Sequence, residues 1–296
     1  MSSFKYFFEH LYIAYLILSE LLLYLFQRLL NQAKCESKRR LDGNVVVVTG
    51  STSGIGKMCA LLLADRGAKV IMACRNLKEA NAAADEIRNK VPKAQVCVMH
   101  LDLTSLKSVE SFARSLIEQE DTVDILINNA GCLIKGDKKT EDGFEIHFGV
   151  NYLGSFLLSL LLLSKLKQSS NGKIINVSSE AHKITCAYPG DMVFNRNSKS
   201  YLEAYGISKL AQILFTRELA KRFSEVNAYA MHPGLVATNI SRDLKQNSTL
   251  QSFFEKYLMR DCIEGSQTIL HCILDECANK ESGFYYRSVH NVYSCF

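Results

Sequence analysis

The chain has 296 residues, of which 48% are apolar and 22% charged, with a formal net charge of +5 at pH 7. This length and apolar content exclude a mainly disordered chain and suffice for one large α/β domain or two small ones. Residues 1–40 carry six Lys or Arg and three Glu, so the remainder is close to neutral and nucleic acid is not an expected partner. The ten cysteines contain no C-x-x-C pair and predict buried thiols in a reducing compartment; no metal site is expected.

The amino-terminal segment is strongly apolar. Residues 4–30 are dominated by Phe, Tyr, Leu and Ile, and the run from 11 to 26 is interrupted only by Ser19 and Glu20. This length predicts a membrane anchor helix over residues 1–30. Because a carboxylate within a bilayer is costly, two alternatives stay open: a helix lying in the membrane surface, and an apolar helix packed on the domain.

Basic residues follow this segment and predict its orientation. Arg28, Lys34, Lys38, Arg39 and Arg40 lie after the apolar run, whereas only Lys5 precedes it. Positively charged flanks tend to stay on the cytoplasmic side. We therefore expect a basic linker over residues 31–41, followed by a single domain over residues 42–296 that faces the cytosol.

The domain opens with a strand that leads into a glycine-rich turn. Residues 44–49 form a β-branched run, which predicts a central parallel strand buried on both faces. The turn Gly50-Ser51-Thr52-Ser53-Gly54-Ile55-Gly56 follows, and a helical pattern continues to Ala64. Glycines let a pyrophosphate approach the backbone, and the helix amino terminus supplies N–H donors. The arrangement predicts a dinucleotide site, with an ordinary turn as the alternative.

The next two strands predict the adenosine side of that site. The strand from 69 to 73 ends at Cys74 and Arg75, where an acidic residue would otherwise bind a ribose 2′-hydroxyl. Arg75 can instead pair with a 2′-phosphate, with assistance from Lys57, which favours NADP(H) over NAD(H). A third strand, 95–101, is followed by Asp102, which can accept from the adenine amino group or cap the next helix.

A fourth apolar strand, 124–127, enters Asn128-Asn129-Ala130-Gly131. Strands and helical segments alternate about every 25 residues, which favours an α/β fold: a doubly wound, Rossmann-type parallel sheet with helices on both faces, preceded by the amino-terminal membrane helix. The ligand should lie at the carboxyl ends of the strands.

Tyr205 and Lys209 are four residues apart, on one face of any helix that holds them. The charge of lysine favours the phenolate, so the spacing predicts a tyrosine pKa lowered from about 10 toward neutral. Such a phenol can exchange a proton with a carbonyl or alcohol oxygen. The alternative is an ordinary exposed pair.

Three motifs occur in order: T-G-x-x-x-G-I-G at 49–56, N-N-A-G at 128–131 and Y-x-x-x-K at 205–209. With them, the chain resembles the short-chain dehydrogenase/reductase family from residue 42 to about 290. The phrases A-C-R-N, D-G-F-E-I-H-F-G-V-N-Y-L-G and H-P-G are similar to the retinol dehydrogenase branch. That branch is typically anchored in a membrane with a cytosolic NADP(H) domain.

The resemblance implies a set of NADP(H) contacts. These are Gly50, Ser51, Ser53, Gly54, Ile55 and Gly56 for the pyrophosphate, Arg75 for the 2′-phosphate, Asp102 and Leu103 for the adenine, Asn129 and Ala130 for the adenosine side, Tyr205 and Lys209 for the nicotinamide ribose, and Pro233, Gly234 and Val236 to Thr238 for the carboxamide end.

It also implies a catalytic set of Ser179, Tyr205, Lys209 and Asn151. Tyr205 would transfer the proton, while a hydroxyl at the end of strand 173–177 would complete the polar clamp on the reacting oxygen. Matching the second serine of the S-S phrase selects Ser179, and leaves Ser178 to hydrogen-bond its own turn. Asn151 would hold a water relay to Lys209, unless it serves only to kink its helix.

We therefore expect an oxidoreductase that interconverts an alcohol and a carbonyl on a lipophilic substrate, with retinol and retinal first and steroid, polyprenoid or fatty aldehyde substrates next. A catalytically silent NADP(H)-binding scaffold on a membrane or lipid droplet is the alternative from another class. The expected location is the endoplasmic reticulum membrane or a lipid droplet. Two long helices, at 153–166 and 210–223, correspond to the family's dimer face, and segments 183–203 and 239–262 are candidate lids.

Overall fold

The computed structural model describes residues 2–30, 34–185, 200–238, 240, 259–287 and 290–293. Its strands are β1 (Val45–Thr49), β2 (Lys69–Cys74), β3 (Val96–His100), β4 (Ile125–Asn128), β5 (Gly172–Val177), β6 (Val226–His232), β7 (Tyr285–Arg287) and β8 (His290–Tyr293). Its α-helices are α1 (Ser2–Leu30), α2 (Gly54–Asp65), α3 (Leu77–Lys90), α4 (Leu106–Gln119), α5 (Gly154–Leu161), α6 (Leu163–Gln168), α7 (Tyr201–Arg222) and α8 (Cys262–Leu274). Most of the two candidate lids lies outside the described residues.

The described strands form one sheet in the order β3-β2-β1-β4-β5-β6-β7-β8. Neighbouring strands are parallel, except that β8 pairs with β7 in the antiparallel sense. The order reverses between β1 and β4, and in such sheets the crevice at the carboxyl ends of these strands receives the ligand. The prediction of a Rossmann-type parallel sheet is confirmed.

The β-branched run of β1 is buried along its whole length, as predicted. Alternate residues of this strand face opposite sides of the sheet. Val46 and Val48 belong to one apolar cluster with α2, α3 and α8. Val45 and Val47 belong to a second cluster with α4, α5 and α7. Helices therefore cover both faces of the sheet, and the turn after β1 lies at its centre.

Helix α1 packs one of its faces against the domain. Leu16, Glu20 and Tyr24 are buried, and their four-residue spacing places them on one side of the helix. The opposite side exposes apolar residues, namely Leu11, Tyr15, Leu18, Leu22, Leu25 and Phe26. In the part of the chain that the structure describes, no helix has both the length and the apolar character needed to cross a bilayer. The membrane anchor therefore stays a prediction.

Two local expectations were wrong. The apolar run 153–166 forms a π-helical turn at Phe148–Leu153, then α5 and α6, which are separated at Leu162. Leu158, Leu162 and Leu166 are all fully buried, so the apolar face continues through a break that the pattern could not reveal. Cys97 and Cys277 are exposed rather than buried, and Cys97 lies on β3, the edge strand of the sheet.

Candidate active site

The glycine turn between β1 and α2 is packed tightly against the end of β4. Gly50 and Gly54 have φ of +65° and +60°, which side chains rarely tolerate. A Cβ on Gly50 would lie 2.9 Å from the Cα of Ala130, and one on Gly56 would lie 2.5 Å from the Asn129 Nδ2. Glycine at these positions lets the turn pack directly against Asn129 and Ala130, and also leaves room for a phosphate to approach the backbone of the turn.

Thr49 and Asn129 fasten this turn to β4. The Thr49 hydroxyl oxygen accepts the backbone N–H groups of Asn129 (3.0 Å) and Ala130 (2.9 Å). The Asn129 amide donates to the carbonyls of Thr49 (2.9 Å) and Gly50 (3.2 Å). The amide predicted to face the adenosine is thus engaged in bracing the turn. Thr49 had no assigned role in the sequence, although it opens the T-G motif.

The two serines of the turn differ in their surroundings. Ser51 is fully buried, and its hydroxyl donates to the Val48 carbonyl at 3.1 Å. Ser53 occupies the N-cap position of α2, but its side chain makes no capping hydrogen bond there. The first turn of α2 therefore keeps backbone N–H groups without a side-chain cap, as an anion site requires.

At the adenosine side, Arg75 is exposed directly after β2. Lys57, the second residue predicted to reach a 2′-phosphate, pairs with Glu86 at 2.7 Å. One oxygen of Asp102 accepts from the backbone N–H and hydroxyl of Thr104, both at 2.9 Å, so its carboxylate holds its own turn rather than capping α4. Leu103 is buried beside it.

Ser179, Tyr205 and Lys209 come together, as the motifs predicted. Ser179 lies just past the carboxyl end of β5, where its hydroxyl accepts from the Ala181 N–H at 3.2 Å and lies near enough to Tyr205 on α7 to lower the pKa of that phenol. The Lys209 ammonium lies 5.6 Å from the centre of the Tyr205 ring and donates to the Val177 carbonyl at 2.8 Å. Both Tyr205 and Lys209 are buried.

The predicted lowering of the Tyr205 pKa is wrong for this structure. Burial raises the pKa of Tyr205 to about 12, and the nearby Ser179 hydroxyl opposes this shift only in part. Burial also lowers the pKa of Lys209 to about 8. Burial penalises the charged form of each group, and the ammonium is bonded to Val177 rather than to the phenol. Tyr205 is therefore a neutral phenol at physiological pH.

Ser178 and Asn151 support the elements that carry these groups. The Ser178 hydroxyl donates to the Lys209 carbonyl at 2.8 Å, so it anchors α7 rather than its own turn. The Asn151 side chain accepts from the Cys132 N–H (2.8 Å) and donates to the Ser208 hydroxyl (3.0 Å). A Cβ on Gly131 would lie 3.3 Å from Asn151 Oδ1 and 3.4 Å from Lys209 Nζ, so these two groups converge on Gly131.

Asn151 also lies in the π-helical turn, which agrees with the alternative that it shapes its helix. Its backbone carbonyl accepts hydrogen bonds from the Gln212 amide and from the Ser155 hydroxyl, the latter at 3.1 Å. Asn151 is thus tied to α5 and α7 through its backbone, and to the N-N-A-G turn through its side chain. Its link to Lys209 through water stays a prediction.

His147 is a neighbour of Tyr205 that sequence reasoning missed. Its ring meets the Tyr205 ring edge-on, with the ring centres 6.1 Å apart. Nε2 accepts from the Ile134 N–H at 3.0 Å, so Nδ1 carries the proton that is shared with Glu145 at 2.6 Å. The ring is fully buried and held from both sides. The E-I-H phrase was noted only for its resemblance, because a lone histidine gives no signal of such packing.

The segment after β6 closes the site from the other side. Gly234 has φ of +86°, and a Cβ there would lie 2.6 Å from the Nε of Arg260. Thr238 reaches the glycine turn, since a Cβ on Gly54 would lie 3.3 Å from its methyl group. Pro233 and Val236 are buried between these points. The predicted carboxamide segment and the predicted pyrophosphate turn are therefore in contact.

Comparison with known proteins gives a consistent result. A sequence profile of the short chain dehydrogenase family matches residues 44–249. The chain is 45% identical over 258 residues to retinol dehydrogenase 12 of Mus musculus, covering 85% of this chain and 80% of the relative. It is 41% identical over 288 residues to retinol dehydrogenase 11 of Homo sapiens, covering 93% of this chain and 88% of the relative.

Solved structures share the fold. An uncharacterised protein from Mycobacterium paratuberculosis has a TM-score of 0.66 at 32% identity, covering 84% of this chain and 82% of its own. A short chain dehydrogenase from Shigella flexneri, complexed with NADP, has a TM-score of 0.65 at 19% identity, and the match covers 84% of this chain and 98% of the Shigella chain. At that lower identity the likeness concerns the fold alone.

A parallel sheet with a glycine turn at its reversal point, and a phenol and an ammonium at the carboxyl end of β5, characterise Rossmann-type oxidoreductases that use a nicotinamide cofactor. The profile match and the relatives above narrow this class. The chain belongs to the short-chain dehydrogenase/reductase family, in the branch of the retinol dehydrogenases, and is an oxidoreductase acting on alcohols.

Proposed function

We propose that the protein interconverts an alcohol and a carbonyl on a lipophilic substrate with NADP(H), with Tyr205 as the proton donor in the reducing direction. The observation that carries this proposal is the junction of Ser179, Tyr205 and Lys209 at the carboxyl end of β5. A buried phenol with a pKa of about 12 is fully protonated at neutral pH and can therefore give a proton to an oxygen that gains charge.

The residues present fit a dinucleotide. Gly50 and Gly54 adopt positive φ, and Ser53 leaves the amino terminus of α2 without a side-chain cap. When bound, the cofactor supplies or accepts hydride at its nicotinamide ring. Ser179 and Tyr205 would then hold the substrate oxygen between two hydroxyls, and Tyr205 would transfer the proton. Lys209 would hold the nicotinamide ribose and, while charged, stabilise the phenolate left after that transfer.

Arg75 supports NADP(H) as the preferred cofactor. It follows β2 directly and is exposed, at the position where a 2′-phosphate would lie in this fold. Binding of NADPH and NADH, measured by protection against thermal unfolding, tests the assignment. We expect stronger protection by NADPH, and an Arg75→Ala variant should lose that preference. Equal protection of the unchanged protein by both cofactors would contradict it.

The substrate proposal draws on the relatives. Two of them, at 45% and 41% identity, are named retinol dehydrogenases. Retinol and retinal are therefore the first substrates to test, and steroid, polyprenoid and fatty aldehyde substrates come next.

Exposed Leu160 on α5 and Leu214 on α7 support a homodimer through these helices.

The outer face of α1 supports a membrane location, with the endoplasmic reticulum or a lipid droplet as the surface and the domain on the cytosolic side. Leu11, Tyr15, Leu18, Leu22 and Phe26 are exposed on this face, and exposing so many apolar side chains to water is unfavourable. A Leu18→Glu, Leu22→Glu double variant should shift the full-length protein from the membrane fraction to the soluble fraction. Unchanged membrane recovery would contradict this location.

A kinetic assay separates an enzyme from a silent scaffold. Purified protein is given NADPH and a panel of lipophilic aldehydes and ketones, and cofactor oxidation is followed at a fixed substrate concentration. We expect turnover with at least one retinoid or related carbonyl. Thermal protection by NADPH without turnover of any member of the panel would favour the scaffold.

A further inference from the structure

Glu20 is a buried carboxylate on a helix that is otherwise apolar. Only 4% of its side chain is exposed, and it lies in the middle of α1 on the face that packs against the domain. One oxygen accepts from His232 Nε2 at 3.2 Å, and the other accepts from the guanidinium of Arg287. A helix docked only through apolar contacts has no need of such a group, since burying a charge is costly unless it is paired.

The first arm of this ionic network leads to the catalytic serine. Arg287 Nε lies 3.9 Å from Glu180 Oε1, and the Tyr285 hydroxyl donates to the same oxygen at 3.2 Å. Lys183 pairs with the other oxygen of Glu180 at 2.5 Å. Glu180 directly follows Ser179, so its position helps to set where the Ser179 hydroxyl lies.

The second arm leads to the cofactor segment. His232 is the last residue of β6, and Pro233 and Gly234 follow it. Within the residues that the structure describes, the other ring nitrogen of His232, Nδ1, has no hydrogen-bond partner. The bond from Nε2 to Glu20 is therefore the hydrogen bond that orients this buried ring. Four residues beyond Gly234, Thr238 reaches the glycine turn.

We propose that Glu20 is a positioning residue of the active site: from the amino-terminal helix, it holds the Ser179–Glu180 and His232–Gly234 segments in register with each other. This inference rests on the proposed function for its kinetic consequences. The helix would then be a working part of the catalytic domain, whatever surface its outer face contacts.

The electrostatics of Glu20 agree with a fixed anion at this place. Burial alone raises the pKa of a carboxyl group, but the hydrogen bond with His232 and the charges of His232, Arg287 and Arg260 outweigh burial and lower the pKa of Glu20 to about 2. Glu20 is thus ionised across the physiological range and can hold two cationic or donor groups at once.

A simpler reading is that Glu20 only docks α1. Tyr24, one turn further along the same face, provides the matched control because its hydroxyl donates to Glu264 Oε2 at 3.1 Å, on α8 and on neither arm of the network, while its ring faces Arg260. Tyr24→Phe removes this docking bond and keeps the ring. Glu20→Gln removes the charge and keeps the shape, whereas Glu20→Asp keeps the charge but shortens the side chain.

The test uses the full-length chain and its three variants. The readouts are kcat and KM with the best carbonyl substrate, the NADPH dissociation constant from fluorescence titration, and the midpoint of thermal unfolding. We expect Glu20→Gln to lower kcat about tenfold, because a small displacement of catalytic groups is enough for such a loss. The NADPH dissociation constant of Glu20→Gln should rise several-fold. For both kcat and this dissociation constant, Glu20→Asp should lie between Glu20→Gln and the unchanged protein. Tyr24→Phe should stay within about twofold of the unchanged protein in both quantities.

Two results would overturn the proposal. One is a Glu20→Gln variant that folds and keeps both kcat and NADPH affinity; the other is an equal loss in Tyr24→Phe, which would mean that docking alone matters. If Glu20→Gln does not fold, Glu20→Asp takes its place: a larger loss of kcat and NADPH affinity in Glu20→Asp than in Tyr24→Phe supports the proposal, and no loss or an equal loss overturns it. If the unchanged protein turns over no carbonyl, the proposed function fails, and NADPH affinity alone then decides the role of Glu20.

Discussion

The molecule secures buried polar groups in two contrasting ways on either side of its active site. Around the glycine turn, neutral groups of Thr49 and Asn129 make short hydrogen bonds to backbone atoms. At the junction of α1, β6 and β7, by contrast, the carboxylate of Glu20 is bonded to the side chains of His232 and Arg287. The neutral region should be insensitive to pH and the charged one sensitive to it.

The largest expected difference between the two regions concerns stability in acid. The pKa of Glu20 is about 2 in the folded protein against 4.5 for a free side chain, so its stabilising contribution is complete above pH 4.5 and is lost as the pH falls toward 2. The shift corresponds to about 3 kcal/mol of unfolding free energy. Chemical denaturation of the unchanged protein and of Glu20→Gln, repeated from pH 7 to pH 3, should show the gap between them narrowing below pH 4.5. A gap that does not change with pH would contradict the ionic account.

The two regions also differ in how much the sequence reveals. The strand, the glycine turn and the N-N-A-G segment are local patterns, and the parallel sheet that they predicted is confirmed. The ionic network joins residues 212 and 267 positions apart, so no spacing rule could indicate it. In the sequence, Glu20 stands out only as a carboxylate that is energetically costly within an apolar run. Pairing with His232 and Arg287, both distant in sequence, is what makes its burial tolerable.

The error over Tyr205 has a related cause. A four-residue spacing on a helix establishes that two side chains are neighbours, but it gives neither their burial nor their other partners. The Val177 carbonyl, on a different element, takes a hydrogen bond from the Lys209 ammonium. Burial then dominates the pKa of both groups. Tertiary packing thus reversed the sign of a shift that local reasoning had predicted.

A smaller effect is expected in the neutral region. Asn129→Ala removes the amide that bonds to the Thr49 and Gly50 carbonyls, and should lower the unfolding free energy by about 2 kcal/mol. The loss should be the same at pH 7 and pH 4, since no titrating group is involved, and it should be accompanied by weaker NADPH binding. Chemical denaturation at the two pH values measures the loss of unfolding free energy, and fluorescence titration measures NADPH binding. A pH-dependent loss would remove the contrast between the regions.

Lys209 provides the smallest test, because it is a charged group that lies next to the neutral region, close to Gly131. Its pKa is lowered to about 8, so it is charged below that pH and loses its proton above it. If the ammonium supports proton transfer, kcat/KM should decline above about pH 8. The residual activity of Lys209→Met should lack this decline. A profile for the unchanged protein that stays flat well above pH 8 would show that the charge of Lys209 is not needed.

The central claim is that the buried Tyr205 phenol donates the proton in carbonyl reduction. Replacing Tyr205 with Phe removes one hydroxyl and keeps the ring that packs on His147. The most direct measurement is NADPH oxidation by Tyr205→Phe with the best carbonyl substrate, alongside NADPH affinity. The control is Tyr152→Phe, at a half-buried tyrosine of the π-helical turn whose ring packs on Phe156 and Phe215. We predict a loss of about 10³-fold in kcat with NADPH affinity retained, and no comparable loss in the control. A Tyr205→Phe enzyme that reduces the carbonyl at the unchanged rate would contradict the claim.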